Sequence, residues 1–180
     1  MRTLTKTQLL VLNGVIAGTY AALTLAASAL NLAYGPVQFR FSEALTVLPF
    51  LFPGTWPGLF VGCLVANLLS PYGLVDIVVG SLATLLAAIW TEKTRSQWLA
   101  PLPPVVCNAV LVGGMIAWYE VGFTSRFPAV FGVNALWVGL GEALVCYILG
   151  MLLIRELPRV PYLRKFMSQR AAGVRKGAAV

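Results

Sequence analysis

The chain has 180 residues, of which 59% are hydrophobic and 11% charged, with a net charge of +7 and no histidine. Its mean hydropathy is +0.84. A water-soluble domain is about a quarter charged, so this composition excludes an ordinary soluble enzyme and a disordered chain. It reads instead as a polytopic membrane protein.

Six apolar runs follow one another: residues 9–32, 44–52, 56–69, 74–90, 105–121 and 130–154. A helix crossing about 30 Å of hydrocarbon needs about 20 residues. The first and last runs are long enough, and the fourth and fifth sit at the short end. The first exceeds a signal-peptide core of roughly 7–15 residues and reads as a retained span. The second and third form either one kinked span or two short helices around Pro53-Gly54-Thr55-Trp56-Pro57-Gly58.

Charge arbitrates between these. With six spans, one side holds 11 of the 13 basic residues, leaving only Arg40 and Arg126 opposite. Five spans would put the basic C-terminal segment and Lys93/Arg95 outside. The positive-inside rule selects six, with both termini cytoplasmic. The fold class expected is thus an all-α integral membrane protein of six transmembrane helices. The membrane domain covers 1–157 and a basic cytoplasmic tail covers 158–180. That clustering also argues against nucleic-acid binding. The second helix is then short, and short or Pro/Gly-broken segments at membrane depth mark substrate sites in transporters.

Small residues recur on the first span at Gly14, Ala17, Gly18, Ala21, Ala22 and Ala26. Such spacing lets helix backbones approach closely, within the bundle or against a separate membrane subunit. Between the first two runs, Val37, Phe39 and Phe41 alternate with Gln38, Arg40 and Ser42, as in an extended stretch at the outer surface. Ser42 is positioned to N-cap the second helix, with Glu43 in its first turn. Arg40 and Glu43 form either an ion pair or part of a substrate-covering loop. An arginine on the outer side, against the charge rule, favours the latter.

Glu142 lies deep in the last run, where a charge costs about 2.5–3.5 kcal/mol on insertion scales. It must face the interior and needs a donor: a proton, an amide such as Asn67, or a ligand. Asn134, Val138, Gly141 and Glu142 share a helical face, with Trp137 near it. Asp76 and Glu120 sit at outer helix ends, and Trp118 and Tyr119 precede the latter. Each of these admits an interfacial reading. Asn108 lies near the cytoplasmic end of its span and reads as helix packing, as do the lone cysteines Cys63, Cys107 and Cys146. No nucleotide-binding loop, metal-ligand set or nucleophile–base constellation is present. No cofactor and no covalent chemistry are expected.

The run Tyr34-Gly35-Pro36-Val37-Gln38-Phe39-Arg40-Phe41-Ser42-Glu43-Ala44-Leu45-Thr46-Val47-Leu48-Pro49-Phe50 is similar to the signature of the QueT family. The pair Ala66-Asn67, the 80–88 stretch and Gly139-Leu140-Gly141-Glu142-Ala143 are similar too. QueT proteins are substrate-binding S components of energy-coupling factor (ECF) transporters, and the likeness covers most of residues 5–157. It implies capture of a queuosine precursor (queuine or another 7-deazaguanine) and docking onto a transmembrane T subunit with two cytoplasmic ATPases. In S components an Ala-x-x-x-Ala pattern on the first helix meets the T subunit, and Ala17 and Ala21 match it. The loop between the first two helices covers the substrate, which fits residues 38–43.

The chemistry is compatible. Glu142 suits the donor edge of a deazaguanine, Trp118, Tyr119 or Trp137 its flat face, and Glu43, Asp76 or Glu120 a ligand ammonium. Gln38 and Arg40 suit its carbonyl, with Asn67 and Asn134 as further polar contacts. Two other readings stay open: an S component for another vitamin or purine-like micronutrient, and a membrane assembly protein in which Glu142 is structural.

Overall fold

The computed structural model describes residues 4–30 and 39–168. These residues are helical throughout, without strands. Four helices are long and apolar enough to cross a membrane: α1 (Lys6–Ala29), α4 (Leu74–Lys93), α5 (Leu102–Val121) and α6 (Phe127–Arg159). Two shorter apolar helices lie between the first two of these: α2 (Phe41–Leu51) and α3 (Trp56–Asn67). A last short helix, α7 (Pro161–Arg164), comes after α6. Gln38 and the stretch 31–38 lie outside the described residues, as do Arg170, Arg175 and Lys176.

The polarity is inside-out relative to a soluble bundle. On α4, Leu74, Val78, Leu82, Leu86 and Trp90 form an exposed apolar stripe four residues apart. Asp76, Gly80, Ser81, Thr84 and Thr91 on the same helix are buried. α6 repeats this, with Val133, Leu136, Leu140, Leu144, Ile148 and Leu152 exposed and Asn134, Val138, Gly141 and Glu142 buried. Hydrocarbon solvates such stripes, and polar side chains must find partners inside.

The Pro53–Gly58 stretch is a true turn between α2 and α3. Gly54 adopts φ 87°, a left-handed conformation that suits glycine. The turn is held from both sides. Asn13 of α1 donates to the Gly54 carbonyl at 3.1 Å and accepts from the Gly58 amide at 2.6 Å. The Gly54 amide donates to Glu92 of α4 at 2.8 Å.

α2 begins at Phe41 with seven residues of 3-10 helix, then four of α-helix. At about 2.0 and 1.5 Å per residue it spans roughly 20 Å, too short to cross alone. The expected Ser42 cap is not formed. Arg40 is the N-cap residue, without a side-chain cap bond. The Ser42 hydroxyl is instead 2.7 Å from that of Thr24 on α1, because the helix starts two residues earlier and turns Ser42 inward.

α1 packs on α3 through glycine. A Cβ at Gly62 would stand 2.8 Å from the Ala17 carbonyl oxygen and 2.8 Å from Tyr20 Cβ. Gly62→Val is therefore expected to destabilise the protein by about 1–3 kcal/mol through overpacking. Gly14 has no other described atom within 4 Å of such a Cβ, so Gly14→Val is expected to leave stability unchanged. Thermal unfolding of the two purified variants checks the contrast; equal midpoints would contradict this packing.

Contacts along the bundle pair its ends. At one end Leu9 lies against Gly54, Tyr147 Oη donates to the Trp98 carbonyl, and Ser168 bonds the Phe50 and Leu51 carbonyls. The segment after α6 is thus strapped to the end of α2 through residue 168, with Pro158 and Met167 buried. Most described basic residues gather at this end: Lys6, Lys93, Arg95, Arg155, Arg159, Arg164 and Lys165. At the other end Tyr72 meets Tyr119 edge-on and Asn134 meets Glu120.

Candidate functional site

The bundle encloses a polar cluster built from six helices. Its charged members are Arg40 and Glu43 at the start of α2, Asp76 in the first turn of α4, and Glu142 on α6. Their exposures are 3%, 1%, 1% and 3%, and that of Asn67 on α3 is 0%. Buried charges need partners. Arg40 Nη2 pairs with Asp76 Oδ2 at 3.3 Å, a partner the sequence does not suggest. One oxygen of Glu43 accepts a hydrogen bond from Tyr20 Oη of α1. Arg40 also lies within electrostatic reach of Glu43 and Glu142. A cation is thus available to Glu142 besides the proton, amide or ligand weighed from the sequence; a buried N-cap arginine projects inward where a sequence gives no depth.

Around these groups run Cys63, Thr84 and Cys146. Asn67 Nδ2 donates to the Asp76 carbonyl at 3.0 Å, and Thr84 Oγ1 donates to Cys63 Sγ at 3.2 Å. Cys146 Sγ lies 3.5 Å from the Glu43 carbonyl oxygen and 3.7 Å from Glu142 Oε2. It therefore links the two glutamates. Gly80 keeps this wall thin: a Cβ there would stand 2.5 Å from Asp76 Oδ1 and 2.7 Å from Asn67 Nδ2.

Two π-helical segments adjoin the cluster, Asn108–Val112 in α5 and Cys146–Gly150 in α6. Such widened turns recur at functional sites. The first begins at Asn108, which is buried close to both Glu43 and Glu142.

The cluster is polar but unsatisfied. Glu43 Oε2, Asn67 Oδ1, Asp76 Oδ1, Ser81 Oγ and Asn108 Nδ2 are all buried without a hydrogen-bond partner among the described residues. A buried unpaired polar atom costs about 1–3 kcal/mol. Several gathered on facing helices read as contacts kept for a ligand.

Of the residues singled out in the sequence, the structure gathers Arg40, Glu43, Asn67, Asp76 and Glu142. Asn134 and Glu120 form a separate pair at 3.2 Å, nearer the Tyr72–Tyr119 end. Trp118, Tyr119 and Trp137 are 40%, 55% and 46% exposed, so these rings lie largely on the outer surface. On α1, Ala21 is buried and Ala17 half-buried against α3, while Gly14, Gly18 and Ala22 open outward. Tyr20, Ser81, Asn108 and Cys146 were not singled out for the site, although Tyr20 and Thr24 fall four apart on the buried face of α1. Asn108, read as helix packing, in fact stands beside the glutamates.

A helical membrane protein with unpaired polar atoms clustered inside an apolar shell has the build of a carrier or receptor for a small polar solute. Residues 10–159 match the QueT transporter family, and the chain belongs to that family. It is a multi-pass membrane protein. It is also similar to the queuosine precursor transporter QueT of Lactococcus lactis subsp. cremoris, with 36% identity over 80 residues, 44% of this chain and 47% of that relative. The chain thus aligns with about half the length of the curated relative it matches. No solved structure matches the chain.

Proposed function

We propose that this chain is the substrate-capture subunit of an ECF-type importer, binding a queuosine precursor, queuine or another 7-deazaguanine, from the extracellular side. The observation that carries this is the set of unpartnered atoms between α2, α3, α4 and α5. Glu43 Oε2, Asn67 Oδ1 and Asp76 Oδ1 accept, and Asn108 Nδ2 donates. A 7-deazaguanine offers the complement: ring and exocyclic N–H donors and one carbonyl acceptor. Glu142 suits the donor edge of the base, since a carboxylate accepts two parallel N–H bonds.

The basic end of the bundle is assigned to the cytoplasm by the positive-inside rule. With both termini inside and six spans, the ligand enters from the extracellular side. The membrane domain is 1–157, and 158–180 is its cytoplasmic basic segment. The outward small-residue face of α1, bordered by Ala17, supports docking to a transmembrane T subunit with two ATPases. The chain binds and does no covalent chemistry.

Calorimetric titration of the purified protein with queuine, the 7-aminomethyl deazaguanine and guanine tests this. Nanomolar to low-micromolar binding of a deazaguanine, with guanine much weaker, is the expected result. No binding by a folded protein would overturn the reading.

A further inference from the structure

The buried charges do not balance. Among the described residues the cluster holds three carboxylates (Glu43, Asp76 and Glu142) and one guanidinium, that of Arg40. Arg40 forms its ion pair with Asp76. The carboxyls of Glu43 and Glu142 lie within electrostatic reach of one another, and Cys146 Sγ contacts the Glu43 backbone carbonyl and Glu142 Oε2. Arg40 is within electrostatic reach of both glutamates, and their remaining neighbours are neutral: Tyr20 Oη, Cys146 Sγ and Asn108. Two like charges buried together require a proton or a second cation.

One oxygen is set apart for such a cation. Glu43 Oε1 is taken by Tyr20, whereas Glu43 Oε2 is buried without a partner. A second and independent orphan stands beside it: Asn108 Nδ2, on a residue 3% exposed and within reach of both glutamates. A ligand with a carbonyl for Asn108 and a cationic group for Glu43 would complement these two atoms.

We infer that Glu43 is a specificity-determining residue that takes a protonated amine of the ligand, so that the site selects amine-bearing 7-deazaguanines over neutral ones of the same ring. This rests on the functional reading above and deepens it. The 7-aminomethyl and 7-cyano derivatives share one base and differ in a single small substituent, cationic in the first and neutral in the second. A charge-assisted hydrogen bond in a buried site separates two such ligands by about 10–100-fold.

Titration of the purified wild-type protein and of Glu43→Gln with both derivatives tests this. In the wild type the aminomethyl compound is expected to bind at least about tenfold more tightly than the cyano compound. In Glu43→Gln this preference is expected to collapse, through a larger loss of affinity for the amine than for the cyano compound. Thermal unfolding of the unliganded variant reports that it is folded. Should the variant fail to fold, the wild-type comparison decides: an amine preference supports the inference and equal affinities overturn it. Equal affinities in the wild type, or an equal loss of both ligands in a folded Glu43→Gln, would overturn the role of Glu43 and leave the functional reading standing. Binding of neither derivative would overturn both.

Discussion

Glu142→Gln is expected to weaken deazaguanine binding by about 100-fold while leaving the thermal midpoint of the unliganded protein unchanged or raised. The first half rests on hydrogen-bond arithmetic. A carboxylate accepting two donors from a base edge contributes about 1.5–3 kcal/mol per bond, and about 1.4 kcal/mol is tenfold in affinity. Gln keeps the shape but offers one acceptor and an amide donor that opposes the ligand's own donors. The second half rests on the neighbours of Glu142. Its carboxyl is buried near that of Glu43, so removing it relieves like-charge repulsion. The long approach of Cys146 Sγ, at 3.7 Å, is a weak contact to give up. A structural glutamate would behave the opposite way, with lost stability and no binding phenotype. Parallel titration and thermal unfolding separate the two; normal binding by Glu142→Gln would remove this residue from the site.

Part of this site is legible in the sequence, and the physical reason is the cost of charge in hydrocarbon. Glu142 stands out because it interrupts a long apolar run, and helical spacing puts residues 134, 138, 141 and 142 on one face. The Pro/Gly density of 53–58 marks a break between α2 and α3. Whether that break is a kink or a turn rests on Asn13 and Glu92, each about 40 residues away along the chain. Sequence spacing does not carry depth or rotation. Trp137 lies one residue from a buried position yet faces outward. Asn108 sits nominally towards the cytoplasmic end, but α5 is locally π-helical there, which rotates the later turns of the helix relative to the earlier ones. Tyr20 and Ser81 are ordinary residues in apolar company, and only the packing of α1, α2 and α4 shows that they meet polar surroundings. The small residues of α1 look like one stripe when written out. In three dimensions they divide: Ala17 packs against α3 and Ala21 is buried, whereas Gly14, Gly18 and Ala22 are exposed.

The Arg40–Asp76 ion pair supports a prediction about stability in which the two partners are unequal. Breaking a buried pair from one side costs about 3–5 kcal/mol, because the remaining charge is left without compensation. Arg40→Gln leaves Asp76, Glu43 and Glu142 together with no cation among the described residues of the cluster, so it is expected to reach that full range. For a chain of this length the thermal midpoint falls on the order of 10 °C. Asp76→Asn leaves Arg40 with Glu43 and Glu142 still within reach, so its cost should be roughly half or less. The double variant removes one charge of each sign and should recover part of the Arg40→Gln loss, a positive coupling that the two single variants alone cannot give. An isolated surface pair would show small, similar losses from either side. Thermal unfolding of the four proteins in one detergent and one buffer reads the cycle directly. Equal losses from Arg40→Gln and Asp76→Asn would mean that Arg40 serves Asp76 alone, and the two glutamates would then depend wholly on protons or ligand for their compensation.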